Sequence, residues 1–564
     1  MPLASAWLIK SLLDLLAQDR RQDTVATFPQ KLLLLLGAQI LLAIASQIIL
    51  PLSTYLKIEI EHSLTLNVQT LVYQKINSLI GLGPFEDPYF HDTIRLAAQG
   101  AQRGPSQAVG LLMTLIRSTI TLTTFLGVLL SFNPLLVGAV GVAVLPQLYG
   151  RLKLGHQRFG LAIGNSPKER RATYYGQVLS GLQFAKEIRL FNLAEYFLEA
   201  FRRISLEIWR AQRCQRSREL HWQVAFAIFA SVVTGGVSVA VTLQAFLGHL
   251  SLGDIVLYIS AVASTQSTLG GIIVAIASLN ESALFYRHFT GLLALPQPLP
   301  LADSARPAPP LSSAIELRDI SFRYSDQHPW ILHHVNLHII AGQCVALVGL
   351  NGAGKTTLVK LLTRLYDPTE GQILWDGIDI RAFAVADLRA RIGAIFQDFV
   401  HYDLTAYENI GLGNIARIED TDWVQQAAHQ AGVHHAINAL PEGYQTTLSR
   451  WLVSDGLGAD LSGGEWQKLA LARMFMRTAS FLILDEPTAA LDAQAEHELY
   501  QSFIDLVTGR TSLLISHRFS TVRMADKIAV LEQGAITEYG SHDELMFQAG
   551  SYARLYRIQA EQYA

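Results

Sequence analysis

A glycine-rich stretch in the second half of the chain has the residue types and spacing that bind phosphate groups. It follows the apolar segment Cys344–Val348, and its key positions are Gly349, Asn351, Gly352, Gly354, Lys355, Thr356 and Thr357. Glycines let backbone N–H groups curl around phosphates, and a following helix N-terminus adds a favourable positive potential. Lys355 is placed to reach the terminal phosphate oxygens, and the Thr356 hydroxyl to bind Mg²⁺. With a helix predicted over Leu358–Leu365, the pattern indicates a nucleoside triphosphate site of undecided class.

A pair of carboxylates at the end of an apolar run supplies a second chemical element. The run Phe481–Asp485 is predicted to be a buried strand, and Glu486 follows it directly. An acidic residue at such a strand end can hold Mg²⁺, and its neighbour can accept a proton from an attacking water molecule. We therefore predict that Asp485 is a metal ligand and that Glu486 is the general base of a hydrolytic reaction.

The segment Leu461–Gln467 resembles the signature motif of the ATP-binding cassette (ABC) family of ATPases, and a helix is predicted to follow over Glu465–Arg477. Further motifs of that family match in order, so the resemblance covers nearly the whole chain. It implies that Tyr324 stacks on adenine, that Gln397 senses Mg²⁺ and water, that Asp492 lies in a loop crossing a dimer interface, and that His517 contacts the γ-phosphate. The cofactors that it implies are ATP and Mg²⁺, with metal ligands Thr356, Gln397 and Asp485.

The signature helix is a second anion site, because a helix N-terminus attracts negative charge. The resemblance implies that two ATPase domains pair head to tail and enclose ATP between the phosphate loop of one chain and Ser462, Gly463 and Gly464 of the other. Since Glu486 is present, the sequence favours two competent sites, and hence a homodimer, while a heterodimer stays open.

The composition of the chain is unusually apolar, and it limits the kinds of structural element that can position these groups. The chain has 564 residues, of which 50% are apolar and 16% charged, and its mean hydropathy is +0.26. These values exclude a disordered or disulfide-dense protein and speak against a purely soluble one. A net charge of −3 gives no case for nucleic-acid binding. Cys214 and Cys344 are interpreted as two buried thiols.

Five stretches in the first half are long enough to cross a bilayer, which takes about 20 apolar residues. They are Lys31–Thr54, Val109–Ser131, Pro134–Gly150, Trp222–Leu247 and Ile255–Asn280. Residues 151–221 are rich in Lys and Arg, which places them in the cytoplasm. We expect the spans to continue there as helices, and the resemblance implies a coupling helix near Gln177–Phe191. Leu3–Gln18 is either the tail of a sixth span that begins upstream or an interfacial helix.

The composition changes at Leu295–Pro310, where six prolines exclude a helix or a paired strand and predict a semi-rigid linker. The domain division is therefore a transmembrane domain over 1–293, a linker over 294–313 and a nucleotide-binding domain over 314–564. The predicted fold class is an all-α polytopic transmembrane domain of the ABC exporter type, fused to an α/β P-loop NTPase domain.

The order of these domains resembles type IV ABC exporters, which are multi-pass proteins of the cytoplasmic membrane with a cytoplasmic ATPase domain. The runs Pro84–Phe90, Glu187–Phe191 and Phe396–Phe399 resemble the branch that exports lantibiotics and other modified peptides. The resemblance implies ATP-driven export of an amphiphilic substrate, predicted to be a peptide, by alternating access. A lipid or multidrug exporter stays open because it shares every ATPase motif. An ATP-gated channel or regulator is disfavoured by the retained Glu486, and a soluble ABC ATPase is excluded by the spans.

One residue inside a predicted span carries a charge. Arg117 lies near the middle of Val109–Ser131, and a mid-membrane arginine is costly unless it faces a cavity or a partner. A role in the substrate cavity and a structural bond between helices are both open. Gln39, Gln47 and Gln266 are weaker candidates of the same kind.

Overall fold

The computed structural model describes residues 2–18, 28–132, 164–247, 250–300, 305–450, 456–485, 506–516 and 519–563, together with isolated positions between these ranges. The chain divides into two compact units. The first contains Met1–Ser78 and Asp87–Leu295, and the second contains Leu79–Glu86 and Pro296–Ala564.

The described part of the first unit is helical. Its helices are α1 (Pro2–Gln18), α2 (Phe28–Ser78), α4 (Pro88–Phe132), α5 (Leu182–Leu190), α6 (Ala194–Phe246) and α7 (Leu252–Leu293), and residues 164–180 are also helical; α3 (Gly83–Glu86) belongs to the second unit. As expected, α2 and α6 extend well beyond their apolar runs. Gly181 interrupts the segment that was predicted to be one coupling helix, so the structure has two helices there.

Among the described residues, four helical segments are long and apolar enough to cross a membrane: Pro29–Ser78, Ala108–Leu130, Ala194–Phe246 and Leu252–Ile276. They contain or overlap four of the five predicted spans, and Pro134–Gly150 lies outside the described residues apart from isolated positions. Leu33 and Leu34 on α2 are 69% and 74% exposed. Leucines exposed along a whole helix fit a lipid environment, where apolar surface needs no burial within the protein.

The N-terminal helix α1 is attached to the start of α7 by polar contacts. Lys10 forms an ion pair with Asp254 at 2.6 Å, and the Gly253 N–H donates to the Asp14 carboxylate at 3.1 Å. A Cβ atom on Gly253 would lie 2.6 Å from both that carboxylate and the Lys10 carbonyl oxygen, so this close approach requires glycine. The two charged residues that interrupt the apolar pattern of α1 therefore fix the helix against its neighbour.

The second unit is built on a six-stranded sheet with the order β10-β9-β3-β8-β7-β6. Its strands are β3 (Cys344–Val348), β6 (Ile392–Ile395), β7 (Phe481–Asp485), β8 (Thr511–Ile515), β9 (Lys527–Glu532) and β10 (Ala535–Gly540). All neighbours are parallel except β10 and β9. β3, β7 and β8 are buried along their whole length, as expected when both faces of a parallel sheet are covered.

A second, antiparallel sheet has the order β2-β1-β4-β5, with β1 (Ala314–Phe322), β2 (Leu332–Ile340), β4 (Glu370–Trp375) and β5 (Ile378–Asp379). Helix α8 (Lys355–Leu362) contributes Leu358, Val359 and Leu361 to a core that includes residues of both sheets. The predicted helix Leu358–Leu365 therefore begins three residues too late, because the glycine before Lys355 already caps it.

The described residues of this unit form eight further α-helices: α9 (Val385–Ala390), α10 (Ala406–Gly411), α11 (Thr421–Gln430), α12 (His434–Asn438), α13 (Gly463–Phe475), α14 (Phe519–Val522), α15 (His542–Gln548) and α16 (Ser551–Tyr563). Helix α13 was predicted over Glu465–Arg477 but begins at Gly463 and ends at Phe475, because Ser462 supplies the N-terminal cap.

The partly buried Arg473 connects α13 to α10 and to the loop before it. Arg473 donates to the Asn409 carbonyl oxygen at 2.8 Å, to the Asn409 side-chain oxygen at 2.6 Å and to the Val400 carbonyl oxygen at 2.8 Å. Burial lowers the pKa of Arg473 to about 10, so the guanidinium stays charged at neutral pH. The loop that follows Gln397 is thereby held against the signature helix.

The proline-rich segment lies along the second unit. The Pro300 carbonyl oxygen accepts from Arg364 at 2.9 Å and that of Pro309 from Trp375 at 3.2 Å. Prolines lack an N–H donor but keep the carbonyl acceptor, and both bonds use that acceptor.

The two cysteines differ in environment. Cys344 is buried on β3, whereas Cys214 on α6 is exposed. The interpretation of both as buried thiols is therefore wrong for Cys214, because its stretch of α6 presents it to the surface of the chain. Burial raises the pKa of the Cys344 thiol.

Candidate functional site

The parallel sheet brings the described residues of the predicted phosphate and metal sites to one edge. Leu347 on β3 pairs with Ile515 on β8, which in turn pairs with Asp485 on β7, and Ile395 on β6 pairs with Leu484. These four strands run in the same direction, so their carboxyl ends share one edge of the sheet. Gly349 lies two residues after Leu347 on β3, and Gln397 lies two residues after Ile395 on β6. The topology therefore brings together residues as far apart in the sequence as Gly349 and Asp485, which are 136 positions apart.

The phosphate loop has the backbone conformation that its glycines allow. Gly352 and Gly354 have φ angles of +83° and +105°, a region that side chains disfavour. A Cβ atom on Gly354 would also lie 2.8 Å from the Leu332 side chain. Helix α8 begins immediately afterwards at Lys355. The exposed Asn351 and Gly352 leave the loop open to a ligand.

Lys355 is held inside this loop. Its ammonium group donates to the carbonyl oxygens of Gly349 at 2.7 Å and Leu350 at 3.2 Å, and the residue is 7% exposed. These bonds hold the charge at the mouth of the loop. Of the next two residues, Thr356 is exposed whereas Thr357 is buried. A ligand at the loop can therefore reach the hydroxyl group of Thr356.

The acidic strand end is partly described. Asp485 is 1% exposed at the last position of β7, and Gln397 is exposed. Glu486, Asp492 and His517 lie outside the described residues. Ser516, which precedes His517, is buried after β8.

Tyr324 belongs to an aromatic cluster. Its ring meets Phe322 edge-on at 5.1 Å and Tyr366 at 5.4 Å, and Phe322 meets Tyr366 at 5.5 Å. The Tyr324 and Thr357 hydroxyl groups share a hydrogen bond at 3.3 Å. Since Thr357 lies on α8, this bond joins the aromatic ring to the helix that begins at the phosphate loop.

Three residues around Tyr324 were missed by the sequence analysis. Lys360 is close to the ring, at 5.3 Å from its centroid, and Glu86 and Tyr366 bind each other beside it. Lys360 could have been suspected from its position on α8. The contribution of Glu86 could not, because Glu86 lies 274 positions before its partner Lys360.

The signature segment carries its own negative charge. The Ser462 hydroxyl accepts from the Glu465 N–H, and the Glu465 carboxylate accepts from the Ser462 N–H at 2.7 Å and from its hydroxyl at 2.8 Å. This is a capping box, in which the carboxylate satisfies donors that a helix N-terminus leaves open. Glu465 therefore places a negative charge at the helix N-terminus that the resemblance assigns to a phosphate group.

Trp466 in the signature segment points inward. Trp466 is 3% exposed, stacks on His401 at 4.2 Å with parallel rings and donates to Asp460 at 3.2 Å. Burial lowers the pKa of His401, which favours the neutral ring in this stack. Trp466 thus contributes to packing and leaves the outer face to Ser462, Gly463 and Gly464.

Neutralising Glu465 is expected to improve the interaction of the signature segment with ATP. Glu465→Gln keeps an oxygen that can accept from Ser462 and removes the charge that repels a phosphate. A charge at a helix N-terminus changes binding by about two- to fivefold, so the KM for ATP should fall by that factor. ATPase kinetics in lipid nanodiscs measure it. Glu408→Gln is a matched control, because Glu408 forms the same capping box with Thr405 on α10. A KM that stays constant or rises in Glu465→Gln would contradict this prediction.

The fold and the site together define a membrane protein driven by a nucleoside triphosphate. A family model described as ABC transporter matches residues 332–489. The chain is 29% identical to the subtilin transport ATP-binding protein SpaT of Bacillus subtilis, over 98% of this chain and 89% of that protein. It is 32% identical to an ATP-dependent lipid A-core flippase of Paraburkholderia xenovorans, over 81% of this chain and 75% of the flippase. A structure of a bacterial Atm1-family ABC exporter with ATP bound matches with a TM-score of 0.84 and 24% identity, over 99% of this chain and 95% of that one.

The chain belongs to the ABC transporter family. It is a half-transporter of the exporter type. Its α/β ATPase unit binds ATP and couples ATP hydrolysis to transport. Its place is the cytoplasmic membrane, which it crosses several times, with the ATPase unit on the cytoplasmic side.

Proposed function

We propose that this protein exports an amphiphilic, modified peptide across the cytoplasmic membrane. The observation that carries the proposal is the similarity to the subtilin transport protein along 98% of the chain. The lipid A-core flippases reach higher identity over shorter parts; one is 44% identical over 46% of this chain. ATPase units are alike across substrates, so similarity that includes the helical unit weighs more for the substrate. A lipid or multidrug exporter is the second candidate.

Arg117 supports a substrate with an anionic group. It lies within the apolar segment Ala108–Leu130 on α4 and is exposed, whereas Ser118 beside it is buried. Among the described residues it has no acidic partner, so no ion pair between described helices accounts for it. Thr114, Thr121 and Thr124 follow the same helical face at spacings of three and four residues. A charge on a polar stripe at membrane depth fits a water-filled cavity, in which a peptide carboxylate can pair with Arg117.

Removing this charge is expected to weaken substrate stimulation without changing basal hydrolysis. In Arg117→Leu, the concentration of anionic peptide that gives half-maximal stimulation should rise about tenfold, the usual effect of losing one charge-assisted contact. Peptides with an amidated C-terminus serve as the control, because they should respond less to the substitution. Unchanged stimulation by both peptide forms would remove Arg117 from the substrate site.

For the nucleotide site, we propose the division of roles that the motifs indicate. Tyr324 stacks on adenine, the loop Gly349–Thr357 binds the phosphates, and Glu486 activates water with His517 at the γ-phosphate. Mg²⁺ is held by the oxygens of Thr356, Gln397 and Asp485, a donor set of the hard type that this ion prefers. Support comes from the shared sheet edge, at which the described members of this set follow parallel strands.

We further propose that two copies of the chain form the transporter. Each copy donates its Ser462, Gly463 and Gly464 to the ATP of the other, and the Asp492 loop lies at their interface.

In this proposal the coupling helix is α5, whose apolar Leu182 and Leu190 are 85% and 77% exposed in the single chain. Exposed leucines on a basic cytoplasmic segment are costly in water and favour a docking surface.

The proposed transport cycle is alternating access. ATP binding closes the two ATPase domains and opens the cavity outward, and ATP hydrolysis returns the transporter to its starting state. We also propose that the functional domains extend over 1–293, 294–313 and 314–564.

ATPase turnover in lipid nanodiscs tests the substrate proposal. Amphiphilic peptides, lipids and drugs are compared as stimulants, with Glu486→Gln as the inactive control. Stimulation by peptides is expected. Stimulation confined to lipids or drugs would instead support the second candidate.

A further inference from the structure

The segment Leu79–Glu86, which connects α2 to α4, packs within the second unit at the end of α8. The Leu82 N–H donates to the Leu365 carbonyl oxygen at 3.1 Å, and Arg389 donates to the Ile80 carbonyl oxygen at 2.9 Å. Arg389 also donates to the Arg364 carbonyl oxygen at 2.7 Å. The segment is thus held by one backbone hydrogen bond and by the side chain of Arg389, which also binds the backbone that follows α8.

At the end of this segment, Glu86 holds two side chains. Its carboxylate accepts from the Lys360 ammonium at 2.8 Å and from the Tyr366 hydroxyl at 2.6 Å. Burial opposes ionisation of Glu86, but the hydrogen bonds from Lys360 and Tyr366 outweigh it and lower its pKa. Burial lowers the pKa of Lys360, but the hydrogen bonds and charges of Glu86 and Tyr324 together outweigh it and raise that pKa. Both groups are therefore charged at neutral pH.

Both partners of Glu86 touch Tyr324. The Lys360 ammonium lies 5.3 Å from the ring centroid and 3.4 Å from the hydroxyl oxygen, within the range of a cation–π interaction. The Tyr366 ring meets that of Tyr324 edge-on at 5.4 Å. One carboxylate therefore fixes the positions of a cation and a ring that border Tyr324.

The contacts of Glu86 are poorly suited to a purely stabilising role. The side chains of Lys360 and Glu86 are 22% and 44% exposed, and ion pairs in contact with water contribute little to folding stability. The contacts of Glu86 nevertheless restrict Lys360 and Tyr366, which border the ring proposed to stack on adenine.

We propose that Glu86 is a positioning residue for the nucleotide, which holds the Tyr324 ring in place for adenine through Lys360 and Tyr366. The inference rests on the proposed adenine-stacking role of Tyr324. If Glu86 positions the ring, the affinity for the base, but not for the phosphates, depends on this residue of the segment between α2 and α4.

Binding of ADP and of inorganic pyrophosphate, each with Mg²⁺, separates base from phosphate without hydrolysis. Isothermal titration calorimetry on the full-length protein in nanodiscs compares wild type, Glu86→Gln, Lys360→Met, the double variant and Tyr324→Ala. We expect Glu86→Gln and Lys360→Met to raise the Kd for ADP about three- to fivefold. The Kd for pyrophosphate and the Tm should stay unchanged, and the double variant should be no weaker than the weaker single one. Glu316→Gln is the matched control, because it breaks an exposed ion pair with Arg318 in the same unit.

The other outcomes each locate a failure. If Tyr324→Ala weakens ADP but Glu86→Gln does not, the role of Glu86 is wrong and that of Tyr324 stands. If Tyr324→Ala leaves ADP binding intact, the proposed adenine contact fails and the inference fails with it. An equal loss for ADP and pyrophosphate in Glu86→Gln would show an effect on α8 as a whole and overturn the positioning role.

Discussion

Glu486→Gln is expected to lower ATP turnover at least about a hundredfold, the contribution of a positioned general base, while ATP binding persists. Glutamine has nearly the same size and polarity but cannot accept the proton of the attacking water. Binding should persist because the phosphate loop and the aromatic cluster are unchanged. Steady-state hydrolysis and equilibrium binding of ATP, both in nanodiscs, measure the two quantities.

The neighbouring carboxylate provides a contrast for this experiment. Asp485 is buried at the end of β7 and is proposed to hold Mg²⁺. Asp485→Asn should therefore lower turnover and also weaken the Mg²⁺ dependence of ATP binding. Glu486→Gln should leave that dependence intact. Residual hydrolysis above a tenth of the wild-type rate in Glu486→Gln would assign the base to another residue.

Lys355→Met is expected to have a similarly large effect by a different route, because it removes affinity for the triphosphate. The side chain is buried in the loop and bonded to the Gly349 and Leu350 carbonyl oxygens, so a methionine of similar length fits the space. Loss of a charge-assisted hydrogen bond should weaken ATP binding about 10- to 150-fold. Calorimetry measures the affinity, and thermal unfolding verifies that the variant is folded.

The same variant tests whether the site is shared between two chains. Ser462→Arg blocks the signature side and should be inactive as a homodimer. When both variants are coexpressed, half of the dimers pair one of each and restore one intact composite site. The mixture should then regain about a quarter of the wild-type rate. If each chain formed its site alone, the mixture would stay as inactive as either variant.

Much of the architecture could be predicted because it depends on neighbours in sequence. The strands Cys344–Val348 and Phe481–Asp485 are found as predicted. Apolar length alone predicted five spans, and four of them coincide with described helical segments that are long enough to cross a membrane. Both signals are local, since strand burial and span length are read within a window of a few to about 20 residues. The helix boundaries were less accurate, because caps such as Ser462 shift a helix start by single residues.

The sequence by itself determined the class of the protein and the types of residue at its nucleotide site, because each motif is a short segment with its own chemistry. Only the tertiary structure decided which groups surround them. It placed Glu86 beside Lys360 and Tyr366, buried Trp466 against His401, and left Cys214 exposed. Contacts between distant segments depend on how strands and helices pack in space, and no local pattern in one sequence encodes which distant side chain arrives.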